Sequence, residues 1–163
     1  MLHHIRAPFI VAALTLLVGC QYDPYAHLFT TVKPKSEDVA ASYLLTQQTI
    51  EPGGLDLLKG RQCVLELHGD GTFSATNYPT WSEAFSPGAG KFVTAINTSG
   101  RWSLDTVGTV SNGGKSQSHW GIRFSDASKP MDSLALTGKT APYGLIMTYG
   151  DPDSGTVMIL EKK

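Results

Sequence analysis

A histidine, an aspartate and a serine occur close together in one stretch of the sequence, and hydrolases use these side chains to activate a nucleophile. His68 and Asp70 precede Ser74, so the imidazole could act as a general base toward the serine hydroxyl. The strained strand-to-helix turn that exposes such a serine has no counterpart here. No pair of histidines has the spacing of metal ligands. We therefore predict that the protein is not an enzyme and holds neither a metal nor a dissociable cofactor.

Two glycine-containing stretches match known binding loops only in part. The sequence GGKS at 113–116 has the end of a phosphate-binding loop, but Thr109 stands where the first glycine is required. A strand pattern follows it, where a helix would have to present its amide groups. The sequence DPDSG at 151–155 has two carboxylates, but its glycine comes one residue early for a calcium loop, and Lys162 occupies position 12. We interpret these stretches as a flexible loop and a hairpin turn.

The two cysteines lie in different surroundings. Cys20 follows an apolar run at 7–19, and that run is preceded by a short lead containing Arg6. The run is shorter than the roughly 20 residues that a membrane-spanning helix needs, and its length and basic lead are typical of a secretory signal. The sequence therefore predicts a signal helix at 1–19 that is removed. Cys63 lies in the apolar run CVLEL, and we predict that it is a small buried hydrophobe.

The residues Leu17-Val18-Gly19-Cys20 resemble the lipobox of bacterial lipoprotein precursors. The resemblance implies that a diacylglyceryl group is attached to the Cys20 sulfur, that the chain is cut before Cys20, and that the new amino terminus is acylated. Two or more acyl chains hold a protein stably on a bilayer. In enterobacterial lipoproteins an aspartate after the cysteine retains the protein in the inner membrane, and here Gln21 follows. The resemblance thus implies a lipid-anchored protein of the bacterial cell envelope, at the outer membrane facing the periplasm.

A polar stretch with two prolines, residues 20–38, follows the signal and predicts a lipidated tether. Its aromatic residues, such as Phe29, could lie at the lipid interface or pack on the domain. Residues 39–163 have the length of one domain. The 13 basic and 14 acidic residues give a net charge of −1, and no basic face is evident, so we predict no nucleic-acid partner.

From residue 39 onward, apolar and polar residues alternate with the period of β-strands. The clearest hairpin is the stretch at 61–79, where Asp70-Gly71 separates two alternating runs. A second series at 90–105 predicts a turn at Ser99-Gly100. The last two runs, 143–149 and 156–161, are more continuously apolar, and they predict strands that are central or covered on both faces.

These segments predict eight or nine short strands and no long helix in the domain. We predict an all-β fold, an antiparallel meander that closes into a barrel whose floor is filled by inward-facing tryptophans, with a β-sandwich as the alternative. The stretches SEDV (36–39), GDGTF (69–73) and YGDPDSG (149–155) resemble small uncharacterised bacterial lipoproteins with a lipocalin-like β-barrel domain. The resemblance supports the barrel and implies no activity.

The loop predicted at 78–90 is the strongest surface candidate, because Trp81 and Phe85 are aromatic anchors of the kind that dominate protein interfaces. The alternative is that these rings plug one end of the barrel. We therefore expect a membrane-anchored module that binds a macromolecule, as an inhibitor, an immunity protein or an envelope-interaction protein. Its partners would be the bilayer, through acylated Cys20, and another envelope protein. The alternative is a carrier of a small apolar ligand, which requires a connected internal cavity of about 300 Å³ or more.

Overall fold

The structure is a computed structural model that describes residues 23–50, 53–82, 91–112, 115–129, 131–149 and 156–163. The predicted signal helix at 1–19 and the predicted lipid-attachment site at Cys20 lie outside the described residues. The elements are a 3-10 helix at Ala26–Leu28, helix α1 at Ser36–Val39, and strands β1 at Ser42–Gln48, β2 at Val64–Leu67, β3 at Thr72–Ser82, β4 at Lys91–Asn112, β5 at Lys115–Ser125, β6 at Leu134–Thr137, β7 at Gly144–Thr148 and β8 at Val157–Lys162.

The eight strands form one antiparallel sheet that closes on itself. Each strand pairs with the next along the chain, and β8 returns to pair with β1, where Leu45 lies opposite Leu160. The predicted all-β antiparallel meander is thus confirmed as a closed barrel, and the sandwich alternative is wrong. Closure leaves no unpaired edge between the first and last strands.

The hairpin of β2 and β3 forms as the alternation predicts. Leu65 and Leu67 point inward opposite Ala75 and Phe73, and all four side chains are buried. In the turn between them, Gly71 has a φ of 82°, which favours glycine. An Asp70 carboxylate oxygen accepts a hydrogen bond from the backbone N–H of Thr72 at 2.9 Å.

The predicted turn at Ser99-Gly100 is wrong, because β4 runs without interruption through both residues. Its first half pairs with β3, and its second half forms a long hairpin with β5. Gly100 is needed for close approach rather than for a turn. A Cβ atom on it would lie 2.6 Å from the Ser125 carbonyl oxygen and 2.9 Å from the backbone of Ala127.

The two ends of the barrel differ, and we call them the floor and the mouth. The floor carries the β2–β3, β4–β5 and β6–β7 connections, and the mouth carries the other four. At the floor, the Trp102 side chain is buried and its indole N–H donates a hydrogen bond to the His68 carbonyl oxygen at 2.9 Å. Of the tryptophans predicted to fill the barrel floor, Trp102 lies there, whereas Trp81 lies at the opposite end.

Side chains from all eight strands pack together inside the barrel. This core includes Tyr43, Leu65, Phe73, Phe92, Trp102, Ile122, Leu134, Leu136, Leu145, Met158 and Leu160. Cys63 belongs to the same core with 1% of its surface exposed, which confirms the prediction of a buried hydrophobe. Burial raises the pKa of its thiol to about 12.

A second apolar cluster covers the outside of the barrel wall. Ile146 of β7 and Val157 of β8 are buried there beneath Phe29. Phe29 belongs to residues 23–35, which we call the N-terminal segment. The two final apolar runs are therefore covered on both faces, as their composition predicts. Of the two expectations for Phe29, packing on the domain is what the structure shows.

Candidate functional site

The mouth of the barrel carries a cluster of aromatic rings. Trp81 near the end of β3 stacks on Tyr149, which follows β7, with ring centroids 4.5 Å apart and planes at 20°. Phe92 at the start of β4 meets both rings edge-on, at 5.3 Å from Trp81 and 4.7 Å from Tyr149. Aromatic pairs in these geometries contribute about 0.5–1.5 kcal/mol beyond the burial of their area. The three rings, which we call the mouth cluster, therefore pack on one another at this end of the barrel.

A cavity of about 300 Å³ opens beside these rings, and we call it the mouth cavity. The described residues of its lining come from three separate stretches of the chain: the end of β3, the β5–β6 connection, and β7 with the residue that follows it. The residues with the largest side chains in the lining are Tyr78, Trp81, Met131, Asp132, Met147 and Tyr149. Five of the eight described lining residues are aromatic residues or methionines, and Asp132 is exposed to solvent.

Tyr78 is the unusual member of the lining. Its side chain is buried, and its hydroxyl oxygen has no hydrogen-bond partner among the described residues. Burial holds the pKa of the Tyr78 hydroxyl well above its usual value, and the neighbouring Tyr149, Cys63 and Asp132 add to that rise. The phenol is therefore protonated and can both donate and accept a hydrogen bond.

Trp81 is a strand residue here rather than part of a loop, since β3 extends to Ser82. Its ring packs against the core and is only partly exposed, so it closes one side of the barrel mouth. Phe85 lies outside the described residues. The site that was predicted from these two aromatic residues is thus represented in the structure by Trp81 alone.

The side chains that suggested hydrolysis have other partners. Asp70 accepts a hydrogen bond from the Thr72 hydroxyl at 2.6 Å, and Ser74 donates one to the Glu66 carboxylate at 2.9 Å. His68 is exposed in the β2–β3 turn. The glycines of GGKS and all of DPDSG lie outside the described residues. Within the described ranges, no three metal-ligating side chains come together.

His119 lies at the other end of the molecule, against the N-terminal segment. Its ring stacks on Phe29 with centroids 4.3 Å apart and planes at 12°. The ring is buried, and its Nδ1 atom has no partner within the described part of the chain. Burial lowers the pKa of His119, and the nearby Asp23 carboxylate opposes that shift. Gly108 makes room for the ring, because a Cβ atom there would lie 2.6 Å from the His119 Cε1 atom.

Backbone hydrogen bonds join the N-terminal segment to the barrel between β5 and β6. The Thr30 carbonyl accepts from the Trp120 N–H at 2.8 Å, and the Leu28 carbonyl accepts from the Gly138 N–H at 3.0 Å. The Thr30 N–H donates to the Leu136 carbonyl at 2.9 Å. Around Phe29, which forms an isolated bridge with Thr137, the segment is thus hydrogen-bonded to both β5 and β6.

Of the six lining residues with the largest side chains, sequence reasoning singled out Trp81 and missed the other five: Tyr78, Met131, Asp132, Met147 and Tyr149. Tyr78 is the one that the sequence could have indicated as a site residue, because it follows the alternating run of β3 and precedes Pro79 and Trp81. Asp132 and Tyr149 join it only because the barrel closes.

The sequence matches no protein-family model, and comparison with curated proteins and with solved structures finds no significant match. Among the described residues, the only helices are too short to cross a membrane.

Proposed function

We propose that this chain is a lipid-anchored protein of the bacterial envelope that binds another envelope protein with the mouth of its barrel. Three elements of the proposal come from the sequence. The lipobox-like residues support acylation of Cys20, and Gln21 supports the outer membrane, facing the periplasm. The near-neutral charge supports a protein partner over a nucleic acid.

The observation that supports the proposal most directly is the position of the N-terminal segment. Asp23 lines one cavity together with Val110 and Gln117 of the β4–β5 hairpin and with Lys139, all at the floor end. Three residues of chain can span at most about 11 Å, so an anchor at Cys20 would hold the floor close to the bilayer. The mouth, with its aromatic cluster, would then face away from the membrane toward a partner.

The packed interior favours this function over a carrier. A ligand held inside the barrel would have to share the space that the core residues of all eight strands occupy. Core side chains in proteins pack at the density of organic crystals, so an apolar ligand cannot enter without displacing them. A partner can contact the aromatic rings at the mouth without displacing any core side chain.

Anchoring is tested by fractionating bacteria that express the full-length chain. We expect the wild-type protein in the membrane fraction, and mass spectrometry should find a diacylglyceryl group on Cys20 as the first residue. The Cys20→Ser variant should move to the soluble fraction or keep its signal. An unmodified Cys20 thiol in the wild-type protein would refute the anchor.

Binding is tested by capture from detergent-solubilised envelopes. We expect a partner that is retained by the wild-type protein and lost from the Trp81→Ala, Phe85→Ala double variant. Val32→Ala is a matched control, because Val32 is 70% exposed on the N-terminal segment, at the floor end of the barrel. Thermal unfolding of each variant shows whether the barrel stays folded. Equal capture by the double variant would reject the mouth as the binding surface.

A further inference from the structure

The hairpin of β4 and β5 extends past the β2–β3 turn. Strand β3 begins at Thr72, opposite Arg101, whereas β4 continues to Asn112. On the side of β4 that faces β3, no described strand pairs with residues 103–112, and we call this side the β4 edge. A strand edge presents backbone N–H and C=O groups with which another extended chain can pair.

The backbone of Thr106 faces this edge. In an antiparallel sheet, alternate residues of a strand direct their N–H and C=O groups to the same side. The Trp102 N–H donates to the Gly71 carbonyl at 2.8 Å on the β3 side, and Thr106 shares the orientation of Trp102. Opposite Thr106, the Trp120 N–H points away from β4 and donates to the Thr30 carbonyl at 2.8 Å, as this register requires.

The side chains of Asp105 and Arg123 occupy both backbone groups of Thr106. The Asp105 Oδ1 atom accepts a hydrogen bond from the Thr106 N–H at 2.7 Å, and the Arg123 Nη2 group donates one to the Thr106 carbonyl at 3.0 Å. The Arg123 Nε–H donates to the Asp105 Oδ2 atom at 2.6 Å, which closes a ring of three hydrogen bonds. The Thr106 N–H and then the Arg123 guanidinium lower the pKa of Asp105, so its carboxylate is charged at neutral pH.

A β-bulge follows Thr106 directly. The register of β4 against β5 shifts between Thr106 and Gly108, so Val107 has no partner residue in the ladder. Bulges and charged side chains are two means by which natural proteins prevent pairing at a strand edge. Both occur here at the same point of β4, which indicates that this edge is protected.

Without protection, the edge would suit a second copy of the same chain. Four of the five residues at 106–110 are β-branched and favour strands: Thr106, Val107, Thr109 and Val110. Two copies related by a two-fold axis would bring their β4 edges together antiparallel, which is the more stable direction of pairing. The net charge of −1 gives little repulsion between copies.

The ion pair itself adds little to the stability of the barrel. The side chains of Arg123 and Asp105 are 54% and 52% exposed, and exposed ion pairs contribute little to folding. The barrel should therefore stay folded when both side chains are removed. Their hydrogen bonds to Thr106 act on the edge rather than on the core.

We propose that Asp105 and Arg123 guard the β4 edge: by holding the N–H and C=O groups of Thr106, they prevent a second copy of the chain from adding its own β4 to the sheet. The guard lies on the floor side of the barrel, away from the mouth. It requires neither the proposed anchor nor the proposed envelope partner.

Sedimentation equilibrium of the purified full chain in density-matched detergent measures self-association. We expect a monomeric wild-type protein, and an Asp105→Ala, Arg123→Ala double variant that dimerises at least about tenfold more tightly, because each edge gains an N–H and a C=O group for pairing. The Lys35→Ala, Glu37→Ala double variant is the matched control, since it also removes an exposed ion pair at unchanged net charge, and it should stay monomeric. If the Asp105→Ala, Arg123→Ala variant associates no more tightly than the wild-type protein, the proposal is overturned.

Adding Thr106→Pro to the Asp105→Ala, Arg123→Ala variant tests whether the dimer forms at this edge. Proline has no N–H and blocks strand edges in natural proteins. The Thr106 N–H bonds to Asp105 rather than to β5, so its loss leaves the β4–β5 ladder intact. We expect the triple variant to be monomeric, and a dimer that persists would overturn the proposal.

Thermal unfolding of each variant shows whether the barrel is folded. If the Asp105→Ala, Arg123→Ala variant does not fold, Arg123→Gln takes its place, because this change frees only the Thr106 carbonyl. We then expect a smaller increase in dimerisation, and self-association equal to that of the wild-type protein would overturn the proposal.

Discussion

Replacement of Phe29 by alanine should release the N-terminal segment from the barrel. The Phe29 ring is 8% exposed, stacks on His119 and covers Ile146 and Val157 on the outer wall. Among the described residues of the segment, Phe29 is the member with a buried aromatic side chain. Without the ring, the segment keeps its backbone hydrogen bonds, the bond from the Thr30 hydroxyl to the Gly138 carbonyl, and the packing of the partly buried Tyr25 and Leu28, and water can replace the hydrogen bonds.

The size of the effect follows from the burial of the ring. Truncation of a buried phenylalanine to alanine costs about 3–5 kcal/mol, and this range includes the lost stacking. Partial exposure and relaxation of the segment place Phe29→Ala near the lower end, at about 3 kcal/mol of unfolding free energy. If the segment detaches before the barrel unfolds, the loss is limited to the free energy with which the segment docks.

Urea unfolding and hydrogen exchange of the purified protein measure both outcomes. The amides of Trp120 and Gly138 donate to the segment, so their exchange should become faster in Phe29→Ala. Val32→Ala is the matched control, because Val32 lies on the same segment with 70% of its surface exposed, and it should change stability by less than about 0.5 kcal/mol. Unchanged exchange at both amides, with a stability loss below about 1 kcal/mol, would refute the inference that this ring holds the segment.

Three further measurements test the packing and the electrostatics. Gly121→Ala would drive a Cβ atom into the backbone of β6 and should cost about 2 kcal/mol or more in urea unfolding, whereas Gly69→Ala meets nothing within 4 Å and should cost much less. Tyr43→Phe removes a hydroxyl that donates to a backbone carbonyl of α1 at 2.6 Å and should cost about 1 kcal/mol, whereas Tyr78→Phe should cost nothing measurable. Burial lowers the pKa of His119 in the folded protein, so the unfolded chain binds the proton more readily, and the unfolding free energy should fall as pH drops below about 6.5. His119→Gln should flatten that part of the pH profile. If the profile of His119→Gln equals that of the wild-type protein, the pH dependence does not come from His119.

The sequence pattern was sufficient for the strands and for the hairpin at Asp70-Gly71. Alternation with a period of two is a local property, because successive side chains of a strand point to opposite faces whatever surrounds them. Leu65, Leu67 and Phe73 therefore indicate the inward face before the partner strands are known. The Asp-Gly turn is local in the same sense, since glycine tolerates the positive φ that the turn requires.

Local rules failed at Ser99-Gly100 for a physical reason. Glycine serves two purposes in β-proteins: it permits unusual dihedral angles in turns, and it permits the close approach of another part of the backbone. The pattern alone does not distinguish them. Gly100 serves the second purpose, because residues 125–127 pass against β4 at that point.

The long-range arrangement followed from closure of the sheet. Tyr78, Asp132 and Tyr149 are far apart in the sequence, and they share one cavity because β3, the β5–β6 connection and β7 reach the same end of the barrel. Phe29 covers Ile146 from outside for a similar reason, since the N-terminal segment inserts beside β6. Side-chain periodicity is set within a few residues of chain. The neighbours of a side chain across the barrel depend on how the strands are tilted and in which register they close, and those quantities belong to the assembled sheet.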